Sequence, residues 1–147
     1  MGSRRKGRIL AFQAIYSWEA TRVPAGEALD LSWLESGKQD ALGENTADFS
    51  RLLVAGTIEN IKAVDAMIRA HLKNWDFSRV NRVDLAVLRM STYTLMYQAD
   101  IPPSIVINEA IGISQEFGTD DSYRFVNGVL DGIRKTIQGS LPFPHKE

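Results

Sequence analysis

Four cations stand within five positions near the start of the chain, at Arg4, Arg5, Lys6 and Arg8, directly ahead of the aromatic-bearing run ILAFQAIYSWE. A guanidinium holds a phosphate through paired N–H donors, and a Phe or Tyr ring stacks on an unpaired base. The two residue types together are those that hold single-stranded nucleic acid. They recur at Tyr123, Arg124 and Phe125, behind Asp120 and Asp121, where the chain opens a helix whose free backbone N–H groups attract anions. The aspartates repel phosphate, but a carboxylate accepts a hydrogen bond from a base amino group, which favours reading a base over gripping a backbone. Without a ligand, the same aspartates are helix caps and the basic run is a solvated terminus. Four phosphates neutralised by the basic run would give a logarithmic salt slope of about −3 on single strands.

The net charge of −1 conceals how local that run is: outside it, 13 basic residues face 18 acidic ones, or −5. A basic arm on a mildly acidic body points to a defined docking place for a short polyanion rather than a generally basic surface. Catalysis has little to stand on. The two histidines are His71 and His145, cysteine is absent, and neither a glycine-rich phosphate loop nor a nucleophile elbow occurs. No enzyme activity, cofactor or metal is expected. No apolar run approaches the ~20 residues that span a bilayer, and MGSRRKG leads into an amphipathic helix instead of a signal-peptide core. A cytoplasmic protein without membrane association is expected.

The elements that must position these residues read as helices throughout, since apolar residues recur at helical spacing and sustained alternation is missing. The 147 residues, 44% of them hydrophobic, suit one all-α domain, a compact bundle of about six to seven helices. It spans 1–147, with 1–3 and 140–147 loose. The first helix is expected over 5–21, with Ile9, Phe12 and Ile15 or Tyr16 on one stripe and Leu10, Ala14 and Trp18 on the next. A short helix near 27–35 and a loop over 36–45 follow. A single long helix then runs from Asn45 or Thr46 to Leu72, with Phe49, Leu52, Leu53, Ile61, Val64, Ile68 and Leu72 inward. The pattern breaks near Trp75, and Asn81 starts a helix over 82–98 that is apolar nearly all round, the kind that belongs at a bundle's centre. Pro102 and Pro103 force a corner, Ser104 caps a helix ending at Phe117, and Gly118 stops it. The last helix starts near Asp120, Asp121 and Ser122 and packs through Val126, Val129, Leu130, Ile133 and Ile137. Gly128 and Gly132 inside it suggest a close neighbour along that edge.

Asn108 and Glu109 read as polar ties between helices, and Asn127 beside Gly128 as a packing pair with an internal hydrogen bond. Asp84 and Arg89, flanking an apolar stretch, are either a solvated edge or the polar rim of a protein interface.

The stretches RRKGRILAFQAIYSWE, FSRLLVAGTIENIKAVDAMI, RVDLAVLRMSTYTLMY, IPPSIVINEAI and FGTDDSYRFVNGVL together resemble the NusB family of bacterial transcription antitermination factors, over roughly residues 4–133. INEA and DSYRFVNGVLD are specific at this spacing. The resemblance implies an all-helical protein without catalytic activity that works with NusE, a ribosomal small-subunit protein. Together they recognise single-stranded boxA RNA of ribosomal RNA operons, within a complex that lets RNA polymerase pass terminators. By similarity, Arg4, Arg5, Lys6 and Arg8 correspond to the family's arginine-rich arm, and Asp121, Arg124 and Phe125 to its second RNA-contact region. Tyr16 and Asp84 correspond to the NusE-facing side. Thr94 departs from the family's usual glutamate. Gly7 is expected to loosen the helix start, so that the arm orders when RNA arrives. The alternative from another class is a helical protein-interaction adaptor, or a homodimer that masks its own RNA face, acting in ribosome biogenesis.

Overall fold

The computed structural model describes residues 3–21, 44–73 and 76–139. Every regular element among them is helical, as the periodicity requires. The expected short helix at 27–35, most of the expected loop at 36–45, the break at Trp75 and the tail after Gly139 lie outside the described residues. Two compact units are defined, Met1–Glu59 and Asn60–Glu147.

The first unit packs helix α1 (Ser3–Thr21) against α2 (Glu44–Glu59). Leu10, Ala11, Phe12, Ala14 and Ile15 are buried, while Tyr16 is 39% exposed. Gly7 does not loosen the helix start. It is buried, and a Cβ there would lie 2.6 Å from Phe49 Cδ2. The absent side chain is what lets the ring of α2 close on α1, and the basic run forms the opening turns of α1.

Leu52, expected inward, is 64% exposed. The buried stripe of α2 is Ala47, Ser50, Leu53, Val54 and Thr57, at the i, i+3, i+4, i+7 spacing of one helical face. Two hydroxyls sit on it, and Thr57 Oγ1 donates to the Leu53 carbonyl at 2.7 Å. A reading that counts only apolar residues chooses Leu52 and passes over Ser50 and Thr57. The long helix is also two helices: Asn60, at φ −109° and ψ 22°, separates α2 from α3 (Ile61–Ala70).

The second unit contains α3, a 3-10 turn (Phe77–Arg79), α4 (Arg82–Tyr97), α5 (Pro103–Phe117) and α6 (Ser122–Ile137). Helix α4 packs against α3, α5 and α6 and is buried continuously over 84–92, the central place its apolar circumference demands. Asn81 caps it, Oδ1 accepting from Val83 N at 2.8 Å and Asp84 N at 3.4 Å. Pro102, and not the expected Ser104, holds the N-cap position of α5, with Pro103 as the first helical residue, where the missing N–H costs nothing. Val126, Val129, Leu130 and Ile133 bury one face of α6, whereas Ile137, expected to pack, is 42% exposed.

Asp84 and Arg89 are neither a solvated edge nor a rim, being 6% and 4% exposed. Arg89 is neutralised internally by Asp65. Asn108 and Asn127, expected to make internal ties, are exposed. The two glycines of α6 also differ: a Cβ on Gly128 meets nothing within 4 Å, whereas one on Gly132 meets His71 Cδ2 at 2.9 Å.

Candidate nucleic-acid interface

The first candidate surface is the opening of α1. Arg4 and Lys6 are exposed and Arg5 and Arg8 half-buried, so the cations of the basic run do not share one environment. Arg4 Cζ stands 4.3 Å from the centroid of the Phe49 ring and Arg8 Cζ 5.5 Å from it, within the range of a cation–π contact. A guanidinium facing a ring keeps its N–H donors at its edge, the part that grips a phosphate. From sequence, Phe49 reads as core. Nothing in the spacing of one helix reveals that a ring on another lies under its arginines. Tyr16 lies about two turns further along α1, exposed.

The second candidate surface is the start of α6. Asp121 occupies the N-cap position, but its carboxylate makes no capping bond. It pairs instead with Arg124 at 3.3 Å, with side chains 68% and 90% exposed on Arg124 and Asp121. Arg124 Cζ also stands 5.0 Å from the Tyr123 ring centroid. The turn before α6 is held by Ser122, whose Oγ accepts from Thr119 N at 2.9 Å.

A cavity of about 310 Å³ opens here, lined by Arg79, Val80, Asn81, Asp84, Thr119, Asp121, Ser122 and Phe125. Sequence reasoning separates Asp84 from Asp121 and Phe125, assigning it to a different partner. The fold brings all three to one cavity, because α4 packs against α6 with its first turn beside the start of α6. Asp84 Oδ1 has no hydrogen-bond partner among the described residues. Burial pushes the Asp84 carboxyl above its ordinary value, and a hydrogen bond with Ser122 opposes the shift. The Phe125 ring, the Arg79 guanidinium and the exposed Asp121 carboxylate line an opening that can receive a flat group carrying an amino donor.

Other polar residues are absorbed by the fold. His71 Nδ1 bonds the Met67 carbonyl at 3.0 Å and Nε2 bonds Thr136 Oγ1 at 2.8 Å. Thr94 is buried, and its hydroxyl donates to the Met90 carbonyl at 3.0 Å, so the residue that departs from the family pattern is satisfied within its own helix. Among the described residues no cluster of His, Asp and Glu could hold a metal ion, and no helix is long and apolar enough to cross a membrane.

The described residues are helical, and they begin with an arginine-bearing helix, as expected of the antitermination proteins that the sequence resembles. Residues 5–135 match the profile of the NusB family, and the chain belongs to that family. It is 47% identical over 133 residues to the transcription antitermination protein NusB of Treponema pallidum (strain Nichols), covering 90% of this chain and 93% of that protein. Among solved structures it is similar to T. maritima NusB, with a TM-score of 0.79 at 33% identity over 90% of both chains. It also matches a chain from a crystal structure of antitermination factors NusB and NusE in complex with dsRNA. That likeness has a TM-score of 0.78 at 22% identity, over 92% of this chain and 98% of that one, and concerns the fold.

Proposed function

We propose that the protein is a cytoplasmic transcription antitermination factor, without catalytic activity, that binds boxA-like single-stranded RNA jointly with NusE and promotes transcription through ribosomal RNA operons. Membership of the NusB family over nearly the whole chain carries this reading. The RNA and NusE of the related complex support the choice of partners.

Arg4, Arg5, Lys6 and Arg8 are assigned to phosphates. Asp121, Arg124 and Phe125 are assigned to bases at the start of α6. The cavity that Asp84 shares with Asp121 and Phe125 supports moving Asp84 from the NusE side to the RNA side, whereas exposed Tyr16 keeps its assignment to NusE.

The test is a titration of labelled boxA-like RNA, a scrambled strand and a boxA duplex, with and without NusE, at several salt concentrations. Preferential binding of the boxA strand that strengthens with NusE and falls with a logarithmic salt slope of about −3 is expected. Preference for the duplex would replace the single-stranded assignment. Negligible binding to all three RNAs in the presence of NusE would overturn the reading in favour of a protein-interaction adaptor.

A further inference from the structure

We propose that Phe49 is a positioning residue for the RNA arm: it holds the guanidinium groups of Arg4 and Arg8 in place for phosphates, and Gly7 is the residue that lets it do so. The proposal rests on the RNA reading above and adds to it a residue on a helix that carries no RNA-contact assignment.

Arg4 and Arg8 are four residues apart on α1 and therefore neighbours on one helical face. Gly7 lies between them in sequence and is buried. The Phe49 ring is seated directly on it, with Cδ2 at 2.6 Å and Cε2 at 3.2 Å from where a Cβ would stand. Any side chain at position 7 would lift the ring from the helix. Seated where it is, one ring serves both arginines, at 4.3 Å and 5.5 Å. The negative face of a phenyl ring attracts a guanidinium and offsets the repulsion between two like charges held close together.

Long arginine side chains lose rotamer freedom when they grip a phosphate, and ordering them beforehand reduces that loss. The ring engages each guanidinium through its face, whereas a phosphate is gripped through its edge. Phe49 therefore adds affinity without adding a charge, and this separates its signature from that of a cation. Removing an arginine that neutralises a phosphate lowers the magnitude of the logarithmic salt slope by about 0.7. Removing the ring lowers affinity at unchanged slope.

The experiment measures binding of the boxA-like strand across salt concentrations for the full chain with NusE present. The variants are Phe49→Leu, Phe49→Trp, Gly7→Ala and the double Arg4→Ala/Arg8→Ala. Thermal midpoints report folding, and NMR shifts of the arginine δ-methylene protons report the ring's proximity. Phe49→Leu is expected to weaken binding about three- to tenfold, the size of one or two modest cation–π contacts, at the wild-type slope. Phe49→Trp is expected to restore binding, and Gly7→Ala to weaken it while shifting the arginine resonances. If the double arginine variant loses affinity while Phe49→Leu binds like wild type, the positioning role falls and the RNA reading stands. If the double arginine variant itself binds like wild type, the assignment of the arm to RNA falls, and this inference falls with it. Should Phe49→Leu fail to fold, Gly7→Ala decides, since wild-type affinity with displaced arginine resonances would overturn the proposal.

Discussion

Arg89 grips Asp65 with two parallel bonds, Nε donating to Oδ1 and Nη2 to Oδ2, each at 2.9 Å, and so ties α4 to α3. The two side chains are 5% and 12% exposed. The Phe77 ring lies close by, 5.8 Å from Arg89 Cζ and 4.2 Å from Arg69 Cζ, which anchors the 3-10 turn leading to the Asn81 cap and the cavity wall. Breaking a buried pair strands a charge and costs about 3 to 5 kcal/mol, while replacing both partners by apolar residues is often neutral. Asp65→Ala should therefore lower unfolding stability by that order, and Asp65→Leu with Arg89→Met should recover most of it. Urea denaturation of the two variants checks this, and a loss below about 1 kcal/mol in the single variant would count against a dry pair.

The two glycines of α6 should respond to alanine with opposite signs. At Gly128 an added Cβ meets nothing, so the helical preference for alanine should stabilise by about 0.5 to 1 kcal/mol. At Gly132 the Cβ would stand 2.9 Å from His71 Cδ2. The Met67 carbonyl only accepts, so His71 Nδ1 carries the hydrogen, and in the neutral ring Nε2 accepts from the Thr136 hydroxyl. A ring tethered at both nitrogens retreats only by straining one bond, and Gly132→Ala should cost about 1 to 3 kcal/mol. Thermal melts of the two variants in parallel give the answer.

Two aspartates should shape the pH dependence of stability in opposite directions. Asp84, whose carboxyl is pushed above 3.8 by burial, favours its protonated form in the fold. Its contribution is present below that value and lost as pH rises through the raised folded one. Asp84→Asn should thus be at least as stable as wild type at neutral pH, with the advantage vanishing in acid. Asp131 is held below 3.8, first by the hydrogen bond from Arg134 and then by Lys135, at 2.7 Å and 3.2 Å. Its contribution is present above 3.8 and lost as pH falls through the lowered folded value, so Asp131→Asn should be the less stable chain at neutral pH and converge on wild type in acid. Denaturation midpoints from about pH 3 to pH 7 separate the two.

What the sequence discloses here is set by how local each signal is. Asn81 followed by an apolar helix, and Gly118 closing α5, are short-range arrangements, and a reading of periodicity and caps finds them. The break at Asn60 is set by backbone angles within an otherwise helical run, and no proline or glycine announces it. Asp65 and Arg89 are 24 positions apart, so each alone looks like a surface charge. Phe49 and Gly7 show the same limit. Each has an ordinary local explanation, as core residue and helix loosener, and only their contact gives them a shared role.

Asp121 provides a prediction in which two readings of one residue give different numbers. A capping aspartate replaced by alanine costs typically ~1 kcal/mol. Asp121 makes no capping bond and its pair with Arg124 is exposed, so Asp121→Ala should change stability by less than about 0.5 kcal/mol. Its effect should fall on RNA. Losing the carboxylate removes repulsion toward phosphate and releases Arg124, which raises affinity for any strand, while the acceptor for a base amino group is lost. Competition between boxA-like and scrambled RNA should therefore show a smaller ratio of affinities, with the scrambled strand bound more tightly than by wild type. A loss of stability near 1 kcal/mol with an unchanged ratio would return Asp121 to the role of a helix cap and leave base reading at the start of α6 to Asp84 and Phe125.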